Sequence, residues 1–231
     1  MKVDPVLCII PARGGSKRLP RKNLMAIGGR PLLVHSIDHA RASSRVARTV
    51  VSTDDDEIAE VSRRAGAEVI RRPSEISGDT ASSESALMHS LDDLERRGFT
   101  PELVVFLQPT SPIRRSDDID RAVGLLEDRG VDSLFSACCN DKLLWRLVKG
   151  EPQPLNYDYR NRHREQDFPA EFRENGSIYV FRPWVLRKHA NRLGGKMAVY
   201  EMGFWASFQV DDENDVRLME WIVGHRKELD L

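Results

Sequence analysis

An α/β fold with a mostly parallel central sheet flanked by helices is predicted by two features of this 231-residue chain. Through the first 140 or so positions, short β-branched apolar runs alternate with stretches of helical periodicity, the pattern of repeated strand–helix–strand units. The first apolar run then feeds a glycine-containing, cation-rich loop, and sheets of this kind bind ligands beyond the carboxyl ends of their strands.

Val6–Ile10 reads as a buried strand. Leu32–Ala42 has helical spacing, with Pro31 near its start as expected of a first-turn proline. Thr49–Ser52 is a second β run. After it, Thr53, Asp54, Asp55, Asp56 and Glu57 supply a cap and first-turn acids for a helix to Ala65, stopped by Gly66. Glu68–Ile70 is a strand, Ser82–Arg97 a helix, Leu103–Leu107 a strand, Ser116–Arg129 a helix ended by Gly130, and Ser133–Cys139 a strand. The alternation breaks there. Residues 140–172 are rich in Asn, Pro, Tyr and Arg and carry no period, which suggests an inserted arm or small β lobe on a single domain, a solvated linker being the alternative. Strands resume at Gly176–Phe181, Met197–Glu201 and Ser207–Val210, and a last helix, Glu213–Lys227, starts from an acid-rich turn.

Composition narrows the function classes. The chain is 40% apolar and 31% charged with a net charge of −1, so a nucleic-acid coat or a polybasic membrane contact is not expected. No apolar run approaches the ~20 residues that span a bilayer, and no secretory signal precedes the first strand. Cys8, Cys138 and Cys139 cannot build a disulfide framework, and none sits in a C-x-x-C ligand pair. The expectation is a cytoplasmic protein without nucleic-acid or membrane partners. Any anion site must then be a local concentration of charge.

Ile9–Asn23 provides one. Arg13, Lys17, Arg18, Arg21 and Lys22 place five cations around Gly14 and Gly15. Glycines allow backbone N–H groups to approach a phosphate, and each well-placed cation attracts a phosphate charge by about 4 kcal/mol at ~4 Å in an effective dielectric of ~20. The loop lacks both G-x-x-x-x-G-K-[ST] and G-x-G-x-x-G, so neither a P-loop nor a dinucleotide fingerprint is present. A solvated basic loop is the bland alternative; the glycine pair and the buried strand before it favour a polyphosphate seat.

The pattern A-R-x-x-S-K-x-L-P-x-K-N over Ala12–Asn23 resembles the signature loop of the CMP-N-acetylneuraminic acid synthetase (acylneuraminate cytidylyltransferase) family. The similarity continues in order through Val50–Pro73, Gly78–Ser83, Leu107–Arg114, Pro154–Phe168, Glu174–Phe181, Gly194–Met202 and Ser207–Val216. It implies a Rossmann-like nucleotidyltransferase fold. It also implies transfer of CMP from CTP to the anomeric hydroxyl of a nonulosonic (sialic-type) acid, with Mg²⁺ as cofactor and pyrophosphate released. The resemblance further implies a homodimer whose arm reaches the neighbouring site. By the same resemblance, Ala12, Arg13, Ser16, Lys17, Lys22 and Asn23 hold the triphosphate, and Arg72 with the Asp79–Ser83 turn (Ala81, Ser82 and Ser83) reads cytosine. Gln108, Lys142, Arg173, Asn175 and Tyr179 fall on the acceptor side, and Lys22, Arg13, Gln108 and Asp211 are the implied catalytic set.

Two departures stand out. Where the family carries paired aspartates for the metal, this chain has Gln209 and Asp211; two residues apart on one strand face, they can reach one ion, but glutamine offers only a neutral oxygen. Asp212 is expected to point to the other face, and Asp215 to serve as a first-turn helix acid. In the run Arg164–Asp167, Glu165 stands where relatives often carry arginine. These departures keep open an octulosonic acid or phosphonate as acceptor, and a catalytically weak CTP-binding module as the alternative to an enzyme.

Overall fold

The computed structural model describes residues 5–16, 18–78, 80–161 and 170–231. In chain order the elements are β1 (Val6–Pro11), the short β2 (Ala26–Ile27) and β3 (Arg30–Pro31), α1 (Leu32–Ala42), β4 (Val46–Thr53), α2 (Asp56–Arg64), β5 (Glu68–Arg71), α3 (Ser83–Arg96) and β6 (Leu103–Leu107). They continue with α4 (Asp118–Asp128), β7 (Ser133–Cys139), β8 (Trp145–Val148), β9 (Glu151–Pro154), β10 (Phe172–Phe181), α5 (Pro183–His189), β11 (Met197–Glu201) and α6 (Glu213–Gly224). Seven strands form the main sheet in the order β11-β7-β10-β6-β1-β4-β5. Every pairing in it is parallel except those of β10, which runs antiparallel between β6 and β7.

Both faces of the sheet are covered, which explains why its central strands read as unbroken apolar runs. Along β1, Val6, Cys8 and Ile10 pack with α1 and α4 residues such as Ile37 and Val123, while Leu7 and Ile9 pack with Leu87 and Leu91 of α3 and Leu186 of α5. A third cluster joins Leu19, Ile27, Leu32 and Ile113 to Val210, Met219 and Ile222, seating α6 against the loop that follows β1. Among the described residues no helix is long and apolar enough to cross a membrane.

Three expectations need correction. Ser207–Val210 is not a strand. Phe204–Ser207 forms a 3₁₀ turn, and Val210 N donates to Thr110 O at 2.8 Å. The physical reason is that β7 already has β10 and β11 on its two sides, so this segment crosses the end of the sheet instead of extending it. β10 begins at Phe172, earlier than its apolar run, because its first residues are exposed and carry no periodic signal. α6 ends at Gly224 and not at Lys227.

Within 140–172 the described residues contain one hairpin, β8–β9, which forms a separate two-stranded sheet. Lys149 and Gly150 join its strands with φ of 52° and 87°, the double positive φ that suits a two-residue hairpin turn. The hairpin and its flanks expose Leu144, Trp145, Leu147, Leu155 and Tyr159.

Candidate active site

Chain order reverses direction in the sheet at β1, with β4 on one side and β6 on the other. The crevice beyond their carboxyl ends is where an open α/β sheet binds its ligand. Loop 12–23 leaves β1 there, and loop 108–114 leaves β6.

The first loop is held at several points. Ala12 N donates to Ser52 O at 2.9 Å, and Asn23 Nδ2 to Arg13 O at 3.0 Å, closing the loop on itself. Gly14 N donates to Asp54 Oδ1 at 3.1 Å, and a Cβ on Gly14 would lie 2.7 Å from Asp55 Oδ2. Glycine is therefore required for close packing on the β4–α2 turn. The Gly14 amide is taken by Asp54, whereas Gly15 has open space around it. Arg13 Nη1 reaches Gly78 O at 3.0 Å, so one of the loop's cations spans to the turn before α3. Arg21 sits in the left-handed region (φ 55°) and turns away to Asp55 and Glu57. Ser16 is half-buried and Arg18 exposed; Lys17 lies outside the described residues.

Lys22 crosses the crevice. Its Nζ lies 2.9 Å from Asp211 Oδ1, with the lysine side chain 17% exposed and the aspartate 48%. Asp211 is placed by the start of α6. There Asp212 accepts from Asn214 N and Asp215 N, and the Asp215 carboxylate accepts from the N–H groups of Asp211 (2.8 Å) and Asp212 (2.9 Å). With Asp212 and Asp215 committed to this reciprocal cap, Asp211 is the acid of the group that faces the loop.

On the β4–β5 side, Arg72 is 8% exposed and donates to Ser52 Oγ (3.2 Å) and Ser52 O (2.7 Å); burial lowers its pKa, partly opposed by Asp54. Close by in sequence, Ala81 N donates to Gly78 O at 3.1 Å, and Ser82 Oγ caps α3 by accepting from Ser85 N at 3.1 Å. Ser83 opens that helix, so the turn delivers its backbone to a helix N-terminus. Asp79 lies outside the described residues.

On the β6–β10 side the decisive feature is a bulge. The stretch from Glu174 to Tyr179 on β10 faces only Ala137 to Phe135 on β7. Its centre is Gly176 (φ 63°), where a Cβ would come within 2.6 Å of Gln108 Oε1 and 2.9 Å of Gln209 Nε2. The two glutamine amides thus converge over a glycine that has no side chain to separate them. Gln209 Nε2 donates to Asn175 O at 2.7 Å, and Ser111 Oγ donates to the same oxygen at 3.1 Å.

Other acceptor-side residues are placed differently. The Asn175 side chain is 1% exposed and fully engaged: Oδ1 accepts from Ser136 Oγ (2.6 Å) and Ser177 N (3.2 Å), and Nδ2 donates to Ala206 O (3.0 Å). It pins the bulge from within the core. Tyr179 is buried, stacked on Phe106 with centroids 5.2 Å apart, and its hydroxyl donates to Glu174. Lys142 is exposed and paired with Asp141 at 2.8 Å; Arg173 is exposed at the start of β10. The structure therefore gathers Arg13, Lys22, Asn23, Arg72, the 80–83 turn, Gln108, Gln209 and Asp211 around the crevice, and does not bring Lys142 into contact with them. The run Arg164–Asp167 lies outside the described residues.

Sequence reasoning passed over three residues. A glycine inside a strand pattern signals a bulge, so Gly176 had a readable cue. Arg114 and Arg192 had none. Arg192 lies 2.6 Å from Glu84 in the first turn of α3 and 4.3 Å above the Tyr179 ring, tying the α3 turn to β10.

The fit to Mg²⁺ can be judged from the donors present. Among the described residues no three His, Cys, Asp or Glu side chains cluster closely enough to hold a metal. Asp211 supplies one carboxylate, and the Gln209 amide nitrogen is occupied by Asn175 O, leaving its oxygen as the donor it can give. One carboxylate suits Mg²⁺ that arrives with substrate phosphates and keeps its waters, not an all-protein cage.

The sequence profile of the cytidylyltransferase family matches residues 7–217, from β1 into α6. The chain belongs to the cytidylyltransferase family. It is 32% identical over 228 residues to the N-acylneuraminate cytidylyltransferase of Oncorhynchus mykiss, covering 97% of this chain and 50% of that one. It is 30% identical over 224 residues to the enzyme of the same name from Streptococcus agalactiae, covering 95% and 52%. The chain thus spans about half the length of the curated relatives it matches. Among solved structures, CMP:2-keto-3-deoxy-manno-octonic acid synthetase complexed with CTP superposes with a TM-score of 0.72 at 18% identity, over 96% of this chain and 99% of that one. The 4-diphosphocytidyl-2C-methyl-D-erythritol synthase of Anaerococcus prevotii gives 0.69 at 12%, over 96% and 100%. At such identities these two share the fold.

Proposed function

We propose that this chain is an enzyme that transfers CMP from CTP to the anomeric hydroxyl of a nonulosonic, sialic-type acid and releases pyrophosphate. The Lys22–Asp211 pair beside loop 12–23 carries the reading, because it sets an ammonium and a carboxylate together beyond the carboxyl ends of β1 and β6. The names of relatives that align over nearly the whole chain support the acceptor class.

In this scheme the acceptor oxygen attacks the α-phosphorus in line and pyrophosphate departs. Arg13 and Lys22 hold the triphosphate, with Lys17 on the same loop, and stabilise the charge that grows on the phosphoryl oxygens. Arg72 and the backbone of 80–83 hold the base, fixing the reacting phosphorus relative to the acceptor. The Gln108 amide orients the acceptor, with Gln209 beside it. Bound Mg²⁺, held by Asp211 with the phosphates and water, would add Lewis-acid charge neutralisation. We further read 140–172 as a dimerisation arm, its exposed Trp145 and Leu147 awaiting the second copy, and the cytoplasm as the place of action, in keeping with three unpaired cysteines.

The test is pyrophosphate release from CTP across a panel of nonulosonic acids, an octulosonic acid and a phosphonate, with and without Mg²⁺. Release with a nonulosonic acid supports the assignment; release only with another acceptor reassigns it. CTP binding with no release from any acceptor would reduce the chain to a nucleotide-binding module.

A further inference from the structure

Arg114 closes the Leu107–Arg114 stretch and is 1% exposed, among the largest fully buried side chains of the fold. Its Nη2 donates to Gln108 O at 3.1 Å and to Ser177 O at 2.9 Å, and its Nη1 to Ser36 Oγ at 3.0 Å. All three partners are neutral. The nearby acid, Asp118, is occupied by Arg115 N (2.6 Å) and Tyr200 Oη (2.7 Å). Burial pushes Arg114 down to about 10, so it stays charged at neutral pH. Among the described residues the Arg114 Nε and Ser177 Oγ are buried without hydrogen-bond partners.

Arginine is rarely buried this deeply without an ion-pair partner, and burying such a charge costs several kcal/mol unless something offsets it. For packing alone a methionine would serve at lower cost. What the guanidinium does that methionine cannot is hold two carbonyls at once, one at the end of β6 and one in the β10 bulge, on either side of Gly176. That spacing decides whether the Gln108 and Gln209 amides meet.

We propose that Arg114 is a positioning residue for cytidylyl transfer: its buried fork clamps Gln108 to the Ser177 bulge and sets a fixed positive charge behind the seat of an anionic substrate. The inference rests on the transfer reaction proposed above.

The experiment compares wild type, Arg114→Met and Arg114→Lys. Amide hydrogen exchange is measured on the free proteins, and kcat and KM by pyrophosphate release with the best acceptor. Arg114→Met should speed exchange locally at 108–111 and 175–178. A displacement near 1 Å at a reacting centre costs about 10²-fold, so kcat should fall by about that factor with both KM values within threefold. Arg114→Lys, which keeps the charge and one carbonyl bond, should regain about tenfold of the loss and stay about tenfold below wild type. A folded Arg114→Met with kcat within threefold of wild type, or with exchange raised evenly across the sheet, overturns the proposal. If that variant does not fold, Arg114→Lys decides alone: unchanged kcat and unchanged local exchange would overturn it. A wild-type protein that releases no pyrophosphate sinks the transfer reading instead, while the exchange measurement still judges the clamp.

Discussion

Replacing Gly176 by alanine probes the point where β6, β10 and the segment before α6 meet. Two costs can be worked from the structure. The residue sits at φ 63°, a conformation that costs a non-glycine residue roughly 1–2 kcal/mol. The new Cβ would also lie 2.6 Å from Gln108 Oε1 and 2.9 Å from Gln209 Nε2, so both amides must withdraw by roughly half an ångström to one ångström to reach ordinary contact. In a domain of this size each kcal/mol lowers the melting temperature by about 2–4 °C, so the backbone cost corresponds to a fall of about 2–8 °C. Displacing the amides should lower kcat by about 10²-fold. CTP affinity should stay within about threefold, since Arg13 and Arg72 are anchored to other elements. Thermal melts, CTP titration and steady-state pyrophosphate release on one preparation separate the three quantities. A variant that melts lower but retains kcat within threefold would show that the paired amides do not position the acceptor.

Three further outcomes are expected. Lys22→Ala should lower kcat by about 10²–10³-fold in pyrophosphate release, while stability changes by less than ~1 kcal/mol because its partner Asp211 is half-exposed; more than half of wild-type turnover would remove Lys22 from the chemistry. Asp211→Asn should raise the Mg²⁺ concentration needed for half-maximal rate, and an unchanged metal titration would take Asp211 out of the metal site. His39, half-buried on α1, is held down to about 3 by burial and by the nearby Arg114 and Arg226 charges. Its folded value lies below the unfolded one near 6.5, so its contribution is complete above pH 6.5 and is lost as the pH falls from there toward 3. Denaturant midpoints should show wild type losing about 1–2 kcal/mol relative to His39→Gln between pH 7.5 and 5, and parallel profiles would contradict this.

The parallel half of the sheet could be read from sequence because β1, β4 and β6 are buried on both faces and leave apolar runs that only a covered strand explains. The insertion of β10 antiparallel between β6 and β7 could not be read, since pairing partners leave no local mark. Ser207–Val210 misled for a related reason: its alternation was real, but Val210 bonds to the Thr110 carbonyl in the loop after β6 instead of joining the sheet. At the site, the cation loop declared itself by charge density, and Lys22 and Asp211 meet although 189 positions apart. Asn175 and Tyr179 were placed on the acceptor side by resemblance, yet the bulge carries one side chain into the core, and stacking on Phe106 buries the other. Arg114 was invisible because an arginine in a loop reads as surface until the fold closes over it.

The central claim is that the bend after β1 seats the phosphates of a cytosine nucleotide, and titrating cytidine, CMP and CTP at one fixed ionic strength tests it most directly. Charge-assisted hydrogen bonds contribute about 1.5–3 kcal/mol each, so CTP should bind at least about tenfold more tightly than CMP, and CMP more tightly than cytidine, with Lys22→Ala compressing the series. Equal affinity for cytidine and CTP, unchanged by Lys22→Ala, would contradict it.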